Sequence, residues 1–464
     1  MSALALHVLA LVASTAVAAS AAEPAPPDPL PALSLVELLR AATQASPLVS
    51  AARHDIEAAD AERQAMRGHM LPTIGASMLA GPTPTAHGDP TTTSTPVNDY
   101  GYVIDHLGPF FRAELSITQP LYTFGKVSLA EQALHELVDV RRAQATTAKW
   151  EVVTQVKSVY YGLLLVGDLV ALTDEVQGYV DQAKTYLEQR LASDGGDVTP
   201  IDRAKLATYE AELKTQRIDL VRRRATLNDA LRRLAGLAAR GSISLAEREL
   251  VPVHAPKLDE AAVLEGAAST HSELGAAAAG VRALAARRDA VRARLWPDLF
   301  VAGRARYGVA PNRDRQTSPF AKDDFNFFDA GVAVGLRYDW PTGVTGAEIA
   351  LADAQLAALE DKRQALAERV AHDVAAALDD WRAAGDKLEA TKEGYKASRT
   401  WSVFARNGFE LGTVSARDLI DALGAFVKVR FAFSTLTFEY NVAVARLSQT
   451  AGHEVIPELA AGVW

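Results

Sequence analysis

From Thr123 to Leu191 the chain contains no proline and carries one apolar seam. Val152, Val156, Val159, Leu163, Val166 and Val170 succeed one another at alternating steps of four and three. After a short slip, Val176, Val180, Ala183, Leu187 and Leu191 continue the pattern. Such spacing belongs to a helix packed lengthwise on another helix. At about 1.5 Å per residue it would span roughly 100 Å. A compact globule has no room for such a helix, so the chain is restricted to elongated architectures.

Composition narrows the function classes. Half of the chain is apolar (49%), enough for a core. A net charge of −9 argues against nucleic acid as a partner. The basic run Arg222-Arg223-Arg224 lies in a heavily charged helical stretch and reads as a solvated face. With no cysteine there is no disulfide framework, thiolate metal site or cysteine nucleophile. The ten histidines show no HExxH spacing, and GxSxG, GxxxxGK[ST] and GxGxxG are absent, so neither catalytic residues nor cofactor or metal sites are expected.

The order of elements repeats. Residues 1–22 read as a signal peptide, with Ala16-Val17-Ala18 and Ala19-Ser20-Ala21 as small-x-small cleavage candidates, followed by a Pro/Ala-rich linker over 23–33. The first repeat covers 34–257. The capping box Ser34-Leu-Val-Glu37 opens a short helix, and Ser46-Pro47 opens a second. The period then changes to two. Strands are expected over 72–81 and 110–119, and long helices over 123–192 and 200–237. The second repeat covers 258–452, with strands over 298–308 and 329–339 and long helices over 346–411 and 415–449. A short tail runs from 453 to 464.

Along the expected strands one face is apolar. Ile74, Ala76 and Met78, Phe111, Ala113, Leu115 and Ile117, Leu299, Val301, Ala305 and Tyr307, and Val332, Val334, Leu336 and Tyr338 share it. Arg112, Glu114, Arg304, Arg306, Arg337 and Asp339 fall on the other, which fits a barrel wall with lipid outside and a wet, partly basic lumen. Strands of about ten residues cross a bilayer at a tilt. Four strands are too few to close a barrel, whose small end is about eight. Copies of the chain must share one, and three copies give about twelve strands.

The duplicated order, the Gln119-Pro120-Leu121-Tyr122 strand end and the Val156-Lys-Ser-Val-Tyr160-Tyr161 stretch resemble the TolC-type outer membrane efflux proteins. So do the turn Asn407-Gly-Phe-Glu-Leu-Gly412-Thr-Val-Ser-Ala-Arg-Asp418-Leu-Ile-Asp421 and its weaker copy from Arg190 to Asp202. The resemblance implies an α+β membrane protein. It would be a homotrimer whose strands form one 12-stranded outer membrane β-barrel and whose helices continue it as a periplasmic α-helical barrel. It further implies a passive conduit in outer membrane lipid, without cofactor or catalysis. A periplasmic adaptor and an inner membrane pump of RND, ABC or MFS type would dock on it, for efflux or type I secretion. Members often carry a lipidated N-terminal cysteine. This sequence has none, so the barrel alone would be the anchor.

The family's gate is a set of acidic rings at the periplasmic tip, and Asp418 and Asp421 fall on the matching positions. Carboxylates one helical turn apart, crowded around a narrow axis, hold cations and repel anions. They also suit a helix N-terminus, whatever else they do. The family's latching arginine and tyrosine are replaced by Val414 and Phe409, leaving Arg406 and Arg417 as candidate substitutes. Arg190, Leu191, Gly196 and Val198 of the first tip, and Leu411, Gly412, Val414 and Ser415 of the second, are the expected adaptor contacts. The competing reading is a soluble coiled-coil structural or adhesive protein, which would have no need of four period-two segments.

Overall fold

The computed structural model describes residues 32–86, 106–192, 199–237, 243–255, 258–315, 322–340, 343–456 and 459. The expected signal peptide and the tip residues Gly196 and Val198 lie outside these ranges. Helices α1 (Leu35–Ala45) and α2 (Pro47–Gly68) lead into strands β1 (Thr73–Pro84) and β2 (Leu107–Tyr122), then α3 (Lys126–Ala192) and α4 (Pro200–Leu234). The second series is α5 (Glu260–Thr270), α6 (Ser272–Ala293), β3 (Asp298–Val309), β4 (Phe327–Arg337), α7 (Val344–Glu410) and α8 (Ala416–Ala451). The helices of the two series match almost residue for residue. Each opens with helices of 11 and 22 residues, and each contains a 67-residue helix. The return helices are 35 and 36 residues long.

Local chemistry sets the boundaries. The Ser34 hydroxyl accepts the Glu37 N–H at 3.3 Å while the Glu37 carboxylate accepts the Ser34 N–H at 2.8 Å, closing the capping box of α1. Helix α3 starts at Lys126, three residues later than its sequence pattern suggests, because Phe124 (φ 50°) and Gly125 (φ 93°) turn the corner out of β2. Phe124 is a non-glycine residue in the left-handed region, which costs about 1–3 kcal/mol. It is held by its ring, stacked on Trp296 at 5.9 Å and edge-on to Tyr122 at 4.7 Å. Helix α7 reaches the equivalent corner with Gly343 at φ 71° as its N-cap.

The strands form one antiparallel sheet in the order β1-β2-β3-β4. Strand β2 is longer than its alternation suggests, because it pairs with β1 out to Pro84↔Leu107 and with β3 past a bulge between Pro120 and Tyr122. Strand β4 ends at Arg337, opposite Asp298, the first residue of β3. Tyr338 and Asp339 therefore lie beyond the strand instead of on its two faces.

The long helices pack as hairpins, α3 with α4 and α7 with α8, and α3 also lies against α2, α6 and α8. The seam residues Val152, Val156, Leu163, Val166, Val176, Val180, Ala183 and Leu187 are buried. Toward the tip they meet Leu206, Leu213 and Leu220 of α4 and Leu419, Ala422, Leu423 and Phe426 of α8. Between Val152 and Val166 the burial extends beyond a stripe, to Val153, Lys157, Tyr160, Tyr161 and Leu164. Helix α1 and the segment 243–250 cover one flank of this stretch. Within α3 a window is apolar enough to pass for a membrane span, but 67% of it is buried in the protein.

Polar groups fasten this belt. Leu33 bridges to the 243–255 strap through its N–H to the Ser244 carbonyl (2.9 Å) and its carbonyl to the Ala246 N–H (3.0 Å). The Tyr160 hydroxyl donates to Glu247. The Asn441 amide satisfies both the Val253 N–H and the Val251 carbonyl, each at 2.9 Å. After α8 the chain folds back so that Glu454 meets Lys157, Nζ to Oε2 at 2.5 Å, with both side chains fully enclosed. The Ser448 hydroxyl donates to the second Glu454 oxygen at 2.9 Å. Burial pulls the Lys157 ammonium below the usual lysine range, while Glu454 pushes it back up. Removing one partner of a buried pair strands the other, at a cost of about 3–5 kcal/mol. Lys157→Met should lower stability by that order, and adding Glu454→Gln should recover most of it, read as unfolding midpoints in detergent.

Candidate functional site

Functional chemistry lies at two ends, the sheet and the helix tips. The register separates the sheet's faces. Ile74, Ile117, Gly303 and Val332 pair across all four strands, as do Met78, Ala113, Tyr307 and Phe328. These rows are apolar and turned outward, with Met78 77% and Val332 80% exposed. The alternate rows read Ser77, Glu114, Arg306 and Asp329, then Gly75, Ser116, Arg304 and Gly331. All four luminal arginines expected from the alternation therefore lie on one face. Two have carboxylate partners. Arg306 grips Asp329 with two bonds (3.0 and 2.6 Å), and Arg337 lies 3.5 Å from Asp298. Arg112 donates to the Asp324 carbonyl at 3.0 Å and sits 5.4 Å from the Phe110 ring and 5.5 Å from that of Phe327. Asp339, expected as a further partner, is displaced by the early end of β4, and Asp298 takes its place.

At the helix-side end of the sheet Tyr122, Phe124, Trp296, Tyr338 and Trp340 gather, with Trp340 79% exposed. Aromatic residues at one level beside an apolar band are the pattern that membrane β-barrels carry at their interfaces. The sequence signal was available, since each flanks a strand on the same side.

At the tip, α7 ends in Leu411 and turns through Gly412 at φ 74°, a left-handed position that suits glycine. The Thr413 and Val414 N–H groups both return to the Gly408 carbonyl, at 2.8 and 3.2 Å. Ser415 then caps α8, accepting the Asp418 N–H at 3.2 Å and donating its hydroxyl to the Asp418 carboxylate at 2.7 Å. Asp418 and Asp421 are both exposed, and neither forms an ion pair among the described residues. The first tip copies this. Thr199 caps α4 in a full capping box with Asp202. Asp202 is a tip carboxylate that the sequence reading passed over, although Thr199-x-x-Asp202 matches Ser415-x-x-Asp418. Its hydrogen bonds to Thr199 hold the carboxyl below the usual range, helped by the nearby charges of Lys205 and Arg417.

The two latch candidates go different ways. Arg417 is exposed and acts on Asp202 through its charge, without a direct ion pair. Arg406 lies over the Tyr179 ring at 5.2 Å, tying α7 to α3 within one chain. The Tyr179 hydroxyl donates to Glu175 at 2.8 Å. Burial and Glu175 raise its pKa, and Arg406 opposes them. Phe409 is buried edge-on against Tyr186 at 4.4 Å, beside a cavity of about 340 Å³ that Arg406, Leu419 and Leu423 also line. Among the adaptor-contact candidates, Leu411 is 79% exposed, Gly412 and Ser415 are exposed, and Val414 and Leu191 are half-buried. Arg190 lies in the last turn of α3.

The described residues thus form one four-stranded antiparallel sheet with an apolar face, joined to two long helical hairpins. Over residues 263–453 the sequence matches the family model of the outer membrane efflux proteins. No curated protein sequence matches. Among solved structures the fold is similar to that of CusC, described for its transmembrane channel formation. The TM-score is 0.72 at 14% identity, covering 90% of this chain and 92% of that one. The Campylobacter jejuni CmeC outer membrane channel gives 0.71 at 13% identity, over 92% of this chain and 88% of that one. The open-state Neisseria gonorrhoeae MtrE outer membrane channel gives 0.69 at 16%, over 91% and 89%.

Two outcomes test the tip. The stability contributed by the depressed Asp202 carboxyl is present above the ordinary carboxylate pKa of about 4 and is lost as pH falls through its lowered folded-state value. The protection of amides in the first turns of α4, corrected for the intrinsic exchange rate at each pH, should therefore fall on acidification. Thr199→Ala should lower it already at neutral pH, by the equivalent of about 1 kcal/mol. Arg406→Ala should loosen the end of α7 from α3 by about 0.5–1 kcal/mol, seen as faster exchange in the last turns of α7.

Proposed function

We propose that this chain is one third of a passive, trimeric outer membrane channel. It would carry cargo from a periplasmic adaptor and an inner membrane pump to the outside in a tripartite efflux or type I secretion system. One observation carries the reading: a sheet with one face apolar but for Gln119 at its helix-side end, open along both β1 and β4, rooted in two 67-residue helices. Open edges and bare apolar faces are liabilities in water. In a bilayer the face is solvated by lipid, and the edges must be paired. Three sheets joined edge to edge supply about twelve strands, enough for a lumen. The six long hairpins then continue the wall as a periplasmic tube. A soluble coiled-coil protein has no use for this sheet. Residues 1–22 would serve as the export signal, and the two structural repeats would act as the working units. The pump would select the cargo.

The tip is the proposed gate. Asp418 and Asp421, unpaired and one turn apart on α8, would form acidic rings around the axis, with Asp202 close by on the same end. The adaptor would meet the turns around Leu191, Leu411, Gly412 and Val414. Extracted in detergent, the protein should run as a heat-sensitive trimer on a gel, whereas a soluble monomer would contradict the reading. In planar bilayers, Asp418→Ala with Asp421→Ala should abolish block by divalent cations. Block that persists unchanged removes these two residues from the gate.

A further inference from the structure

Of the four arginines on the luminal face of the sheet, Arg304 differs from the rest. Arg306 is held by Asp329, Arg337 by Asp298, and Arg112 by a carbonyl and two rings. Arg304 is exposed and makes no ion pair or side-chain hydrogen bond among the described residues. The register explains why. Its row across the sheet is Gly75, Ser116, Arg304 and Gly331, so no neighbour at its level carries a charge, and its own charge reaches Asp329 in the next row without a direct ion pair. The nearest carboxylates, Glu114 and Asp329, belong to the next row toward the loops, where they flank Arg306. Across the whole face, four arginines oppose Glu114, Asp298 and Asp329, and Lys126 also binds Asp298, at 2.8 Å. The balance is positive, and it is concentrated where the wall is otherwise smallest.

We infer that in the closed barrel Arg304 forms a ring of guanidinium groups, making the outer membrane segment of the passage prefer anions. The inference rests on the trimeric barrel proposed above. A like charge repeated around an axis adds its field at the centre, and protein walls keep that field from spreading. Glycine and serine on either side leave the ring the widest-reaching group at its level, so passing ions meet it directly. The chemistry selected is a small anion or a carboxylate-bearing cargo. Because the acidic tip lies in series with opposite preference, the ring must be measured with the tip neutralised.

The protein carrying Asp418→Ala and Asp421→Ala is reconstituted in a planar bilayer, and the reversal potential is read under a potassium chloride gradient. The parent should reverse on the chloride side. Arg304→Gln, or Arg304→Ser should the first variant assemble poorly, should shift the potential toward potassium. Arg304→Lys should leave it nearly unmoved, and Arg337→Gln should shift it less than Arg304→Gln. A conducting parent that reverses on the potassium side overturns the ring, as does an unchanged potential in both neutral variants. A parent that forms neither trimers nor conducting pores overturns the barrel itself, a failure the gel reads separately.

Discussion

Inside a bilayer every backbone N–H and C=O must find its partner within the protein. That constraint reaches every level of this molecule. Four strands satisfy one another internally but leave two edges. In the proposed channel, closure would take copies around an axis. That axis would place the polar rows of the sheet in a common lumen and bring the helix tips to a common centre. The apolar face, the aromatic residues at its end and the long hairpins would then follow from one wall having to be both sealed and continuous.

The hairpins meet a different requirement. A 67-residue helix packed only along a seam is weakly held in rotation and in register. The belt around Lys157 and Tyr160 supplies what the seam lacks. A strap from between the repeats and the end of the chain both close on α3 through specific polar contacts, Tyr160 with Glu247 and Lys157 with Glu454. Below the belt the helices are joined by apolar packing and by exposed, screened ion pairs such as Arg217 with Asp174. Exposed pairs are each worth little. Among the described residues the tip is thus held by apolar packing and exposed pairs, without an enclosed pair like that of Lys157 with Glu454.

Much of this was legible in the sequence, and unevenly so. The faces of the strands could be read from alternation because a period of two admits only one division. The cap at Ser34 could be read because capping is local chemistry. The tip carboxylates were legible as a pattern at Asp418 and were missed at Asp202, where the surrounding turn is less like its counterpart. The partners were not legible. Nothing in the sequence links Arg406 to Tyr179, or Lys157 to Glu454 across 297 residues, since these meetings depend on how helices cross. The absence of the expected latch residues at Phe409 and Val414 was visible; their actual use, Phe409 against Tyr186 and Val414 over Gly408, was not.

The sequence by itself determined the element types, their lengths, their duplication and the sidedness of each strand, because these follow from periodicity, capping and proline within a few residues. Tertiary structure alone decided the register. It made Arg337 a partner of Asp298 and moved Asp339 off the wall, and it left Arg304 among Gly75, Ser116 and Gly331. The reason is physical: a shift of two residues between strands keeps every side chain on its own face and so leaves the sequence pattern unchanged, yet it gives every charge a different neighbour.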